Sequence, residues 1–252
     1  MTSLEVLFTP AEFEALSRRQ VEKTACVVFD VLRATSTMVT ALHNGASAIM
    51  PVASIPEALE ARRQQPDVLL AGERDGIRIP ADLTGGVAFD LGNSPREFTR
   101  DRVAGRTIVM TTTNGTRALR ACAAARMVLA CSFLNLGATA ALLEREKPSH
   151  LMLVGSGTLE EAAYEDALGA GALCELLWAN YGEGKVADSA RIAHNLFLLG
   201  CGNLAEAVAR SRNARRLLSL PELRDDVEVC LRRDSAPLVA ELNRDGLVVK
   251  RG

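Results

Sequence analysis

Aromatic residues are scarce in this chain of 252 residues, with one Trp and two Tyr. That argues against the stacking platforms that grip single-stranded nucleic acid. Charge of neither sign is in surplus. The formal net charge is −2, so no global field draws the protein to nucleic acid or to a membrane. The three histidines, at 43, 150 and 194, show no HxxxH or HxH spacing, which disfavours a zinc site. His194 lies in the apolar helical run ARIAHNLFLLG and reads as a packed core residue. The six cysteines, at 26, 122, 131, 174, 201 and 230, form no CxxC pair. They read as small buried hydrophobes of a reduced, cytoplasmic protein. No stretch reaches the uninterrupted apolar length of a membrane span. The start, MTSLEVLFTPAEFEAL, has early acids and no apolar core of a signal peptide.

What is present is ordinary in amount and informative in order. Hydrophobic residues make up 48% of the chain and charged ones 24%, as in a soluble globular protein able to bury a full core. No linker is long or low in complexity, so residues 1–252 read as a single α/β domain. Strand and helix patterns alternate. Ala25–Gly45 reads as strand, turn and helix, Ala48–Ala53 as a strand, and Ile55 to about Gln64 as a helix. Strands follow at Asp67–Ala71, Thr107–Met110, Met127–Cys131 and Leu151–Val154. Helices are expected from about Thr116 to Ala125 and from about Leu159 to Tyr181. This spacing signals a largely parallel or mixed sheet covered by helices. The last third is mostly helical, with a final strand near Leu247–Lys250.

The richest stretch is VVFDVLRATST, Val27–Thr37. A buried strand ends in Asp30, and a turn with Arg33, Thr35, Ser36 and Thr37 leads into a helix. Ligands of open α/β sheets bind beyond the carboxyl ends of strands. A carboxylate, a guanidinium and three hydroxyls there suit an anion at a helix start, with Asp30 placed to hold a metal or attack phosphorus. Asp30 as a simple helix cap is the other reading.

Three further segments carry chemistry. Gly72-Glu73-Arg74-Asp75-Gly76 puts Glu73 at a strand end, either as a second oxygen ligand beside Asp30 for Mg²⁺ or merely in a surface hairpin turn. Thr111–Thr116 offers hydroxyls, an amide and backbone N–H groups, as a phosphate or sulfonate cradle or as a capped helix start. It lacks the GxxxxGK pattern of a P-loop. Asn93-Ser94-Pro95 gives a similar, weaker signal. Thr158-Leu159-Glu160-Glu161 reads as a capping box. On that helix Asp166 shares the apolar stripe of Leu159, Ala163, Ala170, Leu173 and Leu177. A buried carboxylate needs a compensating partner, so Asp166 should meet Mg²⁺ or an Arg. The arginines of NLAEAVARSRNARRLLSL, at 210, 212, 215 and 216, read as a solvated basic face.

DVLRATS, the GER loop, FDLGNSP, TTTNGTRA and YEDALGAG occur here in that order. In this the chain resembles the 2-phosphosulfolactate phosphatases, from about Val27 to Ala172, with a looser match beyond. The resemblance implies a Mg²⁺-dependent phosphatase that converts 2-phospho-3-sulfolactate to sulfolactate and phosphate, in the route to coenzyme M. It puts Asp30, Arg33, Ser36, Glu73, Asn93, Ser94, Thr112, Asn114, Gly115 and Asp166 in the family's motif positions. One departure is the segment IPADLTGGVA between Arg78 and Phe89, longer than that pattern and placed to reshape the substrate end of the cleft.

The combined expectation is hydrolysis of a small, highly anionic phosphomonoester. Asp30, Arg33 and Asp166 are the catalytic candidates. Asp30, Glu73 and Asp166 are the metal candidates. Ser36, Asn93, Ser94, Thr112, Asn114, Gly115 and Arg117 are the substrate-binding candidates, with Arg33, Arg74 and Arg96 as further cations in or beside the loops. An aspartyl phosphate on Asp30 and attack by a metal-activated water both remain open. A haloacid-dehalogenase-type phosphatase is the first alternative. It requires a second Asp two residues after the nucleophile, where this chain has Leu32. A non-catalytic binding protein for an anionic metabolite is the second, and carboxylates converging without a metal would repel such a ligand. No nucleic-acid or membrane partner is expected, and the apolar content with few aromatics is compatible with a homodimer.

Overall fold

The computed structural model describes residues 3–181 and 184–252. Ten strands form one mixed sheet: β1 (Ser3–Leu7), β2 (Thr24–Phe29), β3 (Ala48–Pro51), β4 (Leu69–Arg74), β5 (Ile77–Arg78), β6 (Thr107–Thr111), β7 (Met127–Cys131), β8 (His150–Gly155), β9 (Ala240–Leu242) and β10 (Val248–Lys250). The order across the sheet is β1-β8-β2-β7-β9-β10-β3-β6-β4-β5. β1, β8, β2 and β7 form one parallel block, and β3, β6 and β4 form another. The C-terminal hairpin β9–β10 lies between the blocks and pairs antiparallel with each.

Helices occupy the connections. They are α1 (Pro10–Glu14), α2 (Ala34–His43), α3 (Ile55–Gln64), α4 (Arg100–Val103), α5 (Gly115–Ala121), α6 (Leu136–Glu146) and α7 (Tyr164–Leu177), followed by α8 (Asp188–Gly200), α9 (Leu204–Ala209), α10 (Arg212–Ser219) and α11 (Asp225–Cys230). Residues of α2 and α5 share one hydrophobic core with residues from both parallel blocks, among them Val28, Ala130, Ile108 and Met110. The sheet therefore wraps around α2, whose first six residues are all buried. On the other face, α6, α7 and α8 cover β2, β7 and β8, while α3 covers β4 and β6. α7 and α8 approach closely, because Gly171 has no side chain. A Cβ there would lie 2.1 Å from the Ala193 carbonyl oxygen.

The strand-helix alternation agrees with the sequence reading, and α3 and β7 have the expected bounds. The differences are local. The long helix starts at Tyr164 rather than near Leu159. Thr158 and Glu161 instead exchange backbone hydrogen bonds of 2.8 and 3.1 Å across a tight turn. Gly157 and Leu159 take φ values of 71° and 54° in it, which no helix start accommodates. Glu73 and Arg74 continue β4 into a hairpin with β5. The N-terminal segment SLEVL is a strand paired with β8. β9 and α6 fill stretches whose patterns were too short or too mixed to read. One amendment concerns membranes. The run Asp188–Ala209 passes by length and composition as a span, but α8 packs Ala190, Ala193 and Phe197 into the core beside α7.

The segment 79–88 contains a short helical turn, Ala81–Thr84. Its flanks Ile79 and Phe89 join the core beneath α3. It contributes nothing to the cavity described next, so the expectation that it reshapes the cleft is not met. Most of it adds surface rather than wall.

Candidate active site

β2 ends in Asp30, and the turn Val31-Leu32-Arg33 carries the chain into α2. Asp30 Oδ1 accepts a hydrogen bond from the Ala34 N–H at 3.0 Å. The Thr35 hydroxyl donates to the Asp30 carbonyl at 2.9 Å. Asp30 thus caps a helix, and it also lines a cavity of about 190 Å³. Its second oxygen, Oδ2, lies over Gly115, where a Cβ would come within 2.5 Å of it. Glycine is required there by close approach. Burial in a low-dielectric surround, reinforced by the Glu73 and Glu165 carboxylates, pushes the Asp30 pKa from 3.8 up to about 6. The Ala34 N–H and the Ser156 hydroxyl act the other way and only partly offset it.

The cavity walls come from distant parts of the chain. Asp30, Leu32 and Arg33 supply one side, and Glu73, Asp75 and Gly76 of the β4–β5 hairpin another. Asn93, Thr113, Asn114 and the turn Gly157–Leu159 add polar edges, and α10 closes the remainder with Arg212, Asn213, Arg216 and Leu217.

Arg33 is 3% exposed. Its Nη1 donates to Asp226 at 2.7 Å and its Nη2 to the Gly76 carbonyl at 2.5 Å. Asp226 is fully buried and accepts also from Ser94 Oγ at 2.7 Å and Arg96 Nε at 2.8 Å. One carboxylate on α11 therefore fastens the β2–α2 turn, the NSP segment and the C-terminal helices together. Glu73 does comparable work on the other wall. Its Oε1 accepts from the Thr113 N–H and hydroxyl, both at 2.8 Å, and its Oε2 from the Gly76 N–H at 2.7 Å. Asn93 lines the cavity, and its Oδ1 is buried with no hydrogen-bond partner. A buried amide oxygen left unpaired is costly, so a bound molecule or water is its natural partner.

Among the residues singled out from sequence, Asp30, Arg33, Glu73, Asn93 and Asn114 line this cavity. The others are placed differently. Ser36 is buried inside α2 and donates to the Val31 carbonyl at 2.8 Å. Ser94 serves Asp226. Thr112 Oγ1 accepts from the Thr116 N–H at 3.2 Å and so braces the start of α5. Gly115 gives Asp30 its room. Arg117 points outward to Glu14 and Glu160. Arg74 turns back to the Thr111 hydroxyl at 3.1 Å.

Asp166 is buried as its position on the stripe required, but its partners are neutral. It accepts from Val31 N–H at 2.8 Å, Ser156 Oγ at 3.1 Å and Gly157 N–H at 3.2 Å. No arginine reaches it among these contacts, so the protein-cation alternative is not realised. Burial, then the charges of Asp30 and Glu165, hold its pKa well above the ordinary range.

Five contributors escaped sequence reasoning. Arg212 and Arg216 are exposed, as read from sequence, but both also line the cavity, together with Asn213. Ala214 and Leu217 mark the buried face of α10. Arg210 and Arg215 are exposed as well and lie outside that lining. Glu165 is 1% exposed, its Oε1 accepts from Asn213 at 2.5 Å, and its Oε2 is buried without a partner. Asp226 had no motif around it.

No group of three acidic, histidine or cysteine side chains among the described residues converges as a metal cage. Mg²⁺ does not need one. It is commonly held by one or two carboxylates, with waters and substrate phosphate completing the octahedron. Asp30 and Glu73 supply two carboxylates on the cavity wall. Among the described residues no protein cation is bonded to Asp30, whose pKa is raised by burial first and then by the Glu73 and Glu165 carboxylates. That donor set fits a hard cation.

The 2-phosphosulpholactate phosphatase family model matches residues 11–245. A protein of Thermotoga petrophila named probable 2-phosphosulfolactate phosphatase is 39% identical over 230 residues, covering 91% of this chain and 94% of its own length. Proteins with the same name from Caldicellulosiruptor saccharolyticus and Carboxydothermus hydrogenoformans are 34% and 37% identical. The alignments cover 97% and 94% of this chain and 99% and 92% of theirs.

Proposed function

The chain belongs to the 2-phosphosulfolactate phosphatase family, and from that membership we propose that it hydrolyses 2-phosphosulfolactate to 3-sulfolactate and phosphate with Mg²⁺. It is a phosphoric monoester hydrolase by family. The observation that carries the finer reading is Asp30, a carboxylate on the wall of a small polar cavity with its pKa raised to about 6 and no protein cation bonded to it. Positive charge beside Asp30 itself would come from Mg²⁺ bound along with the phosphate ester. Asp30 and Glu73 would hold the ion, which neutralises charge on the phosphoryl oxygens.

The chain's own groups do the rest. Ala34 N–H fixes Asp30 Oδ1 and leaves Oδ2 beside the cavity. In that pose Asp30 serves either route, attack on phosphorus with release of the sulfolactate oxygen, or alignment of an attacking water. Arg33, fixed by Asp226, presents its remaining N–H donors to an anionic oxygen. The unpaired Asn93 Oδ1 is an acceptor, so its partner would be a donor such as a water rather than an anionic oxygen of the substrate. The cysteines, all free, suit a reducing compartment, and we place the protein in the cytoplasm.

The test is phosphate release from 2-phosphosulfolactate. Release should stop in EDTA and return on adding Mg²⁺. Full activity after thorough metal stripping removes the metal from the proposal, and no release under any metal condition removes the substrate. A phosphate trapped on Asp30 selects the covalent route.

A further inference from the structure

The cavity carries three arginines, and they differ in how far the protein has already neutralised them. Arg33 is buried against Asp226 at 2.7 Å. Arg212 is tied to Glu161 at 2.9 Å and to the Thr158 carbonyl at 2.8 Å. The carboxylate nearest Arg216 is Asp75, 4.0 Å away and 84% exposed. An ion pair that long and that wet is worth little and exchanges readily for a ligand. The Arg216 Nη2 otherwise donates to the Asp75 carbonyl, which anchors the guanidinium over the hairpin without cancelling its charge. Its Nε lies beside Gly76, 3.7 Å from where a Cβ would be.

The three arginines are therefore compensated unequally. Asp30 stands against Gly115 and the start of α5, and Arg216 reaches from α10 to Gly76, where Arg33 Nη2 also lies. Phosphorus must sit at the Asp30 end, by the reading given above. A compact ester seated there extends its other end toward α10. We propose that Arg216 is a specificity-determining residue, which recognises a second, fully ionised anionic group of the sulfonate class at the end of the substrate remote from the phosphate. The planar guanidinium fork suits two oxygens of such a group. This inference rests on the proposed phosphatase reading for its orientation.

The experiment compares kcat/KM on 2-phosphosulfolactate and on 2-phospholactate, which keeps phosphate and carboxylate but lacks the sulfonate. Arg216→Ala and Arg216→Gln should each lose about tenfold or more on the first substrate, mainly through KM, as expected for one charge-assisted contact. On the second they should change by no more than about twofold. Arg215→Ala removes the same charge from the exposed side of α10, outside the cavity lining. It should leave both substrates within about twofold. Equal loss on both substrates, or a matching loss in Arg215→Ala, overturns the assignment.

Calorimetric binding of 3-sulfolactate, which needs no turnover, separates the two readings. If the wild type binds it through Arg216 but releases no phosphate, the activity falls and Arg216 stands. If the wild type turns over and Arg216→Ala binds and reacts as it does, Arg216 falls alone. If the wild type neither binds nor reacts, both fall.

Discussion

Replacing Asp30 with asparagine separates its part in the fold from its part in the reaction. The substitution keeps an oxygen that can accept the Ala34 N–H, so the α2 cap survives. It removes a charge that the site holds at a cost. In the folded chain the Asp30 pKa is raised from 3.8 to about 6. A raised carboxyl pKa means that the folded state holds the proton more tightly than the unfolded one. Its contribution is fully present below about pH 4 and is lost as pH rises through about 6. At ~1.36 kcal/mol per pH unit the full loss is about 3 kcal/mol, with roughly half of it already incurred at pH 5.

A neutral amide in this position incurs none of this loss. In EDTA, Asp30→Asn should therefore be more stable than wild type by about 3 kcal/mol at pH 8 and by about half of that at pH 5. For a chain of this size the former corresponds to a Tm gain of about 6 °C or more. The folded variant should also lose at least about a hundredfold in phosphate release. Thermal melts at the two pH values, with activity on the same samples, test all of it. A gain that is absent, or equal at both pH values, refutes the electrostatic argument. Near-normal turnover would leave Asp30 as a cap and nothing more.

Two other substitutions probe the buried carboxylates. Asp226→Ala strands the buried Arg33 charge and should cost about 3–5 kcal/mol in denaturant unfolding. It should reduce turnover as well, and unchanged unfolding would show that Asp226 fastens nothing. Asp166→Ala leaves the Val31 and Gly157 N–H groups without an acceptor, which should cost about 2–4 kcal/mol. A variant as stable as wild type in EDTA would mean that the carboxylate is retained for a metal rather than for these donors.

Local pattern alone was enough to read the alternation of strands and helices, the family, and the residues that sit on strand ends. Those depend on periodicity and on short motifs, and Asp30, Arg33, Glu73, Asn93 and Asn114 were all found that way. Pattern also put Asp166 inside, but α7 is buried on every side from Glu165 to Cys174, so helical phase did not single it out. The start of that helix was misjudged because a Thr-x-x-Glu pattern serves a tight turn as well as a helix cap. What each side chain meets was settled by packing in three dimensions. Ser36 and Thr112 looked like anion ligands but satisfy their own backbone, since a hydroxyl near a helix start has that partner at hand. Arg212 and Arg216 are as solvated as they looked and also close the cavity, and Asp226 was invisible. Their partners lie far away in sequence, 132 residues in the case of Ser94 and Asp226. The C-terminal hairpin is the clearest example. Its second strand was legible near Leu247–Lys250, but the first, Ala240–Leu242, carries too little pattern to read alone, and the pair completes the hydrogen bonding of two sheet edges that would otherwise be left unpaired.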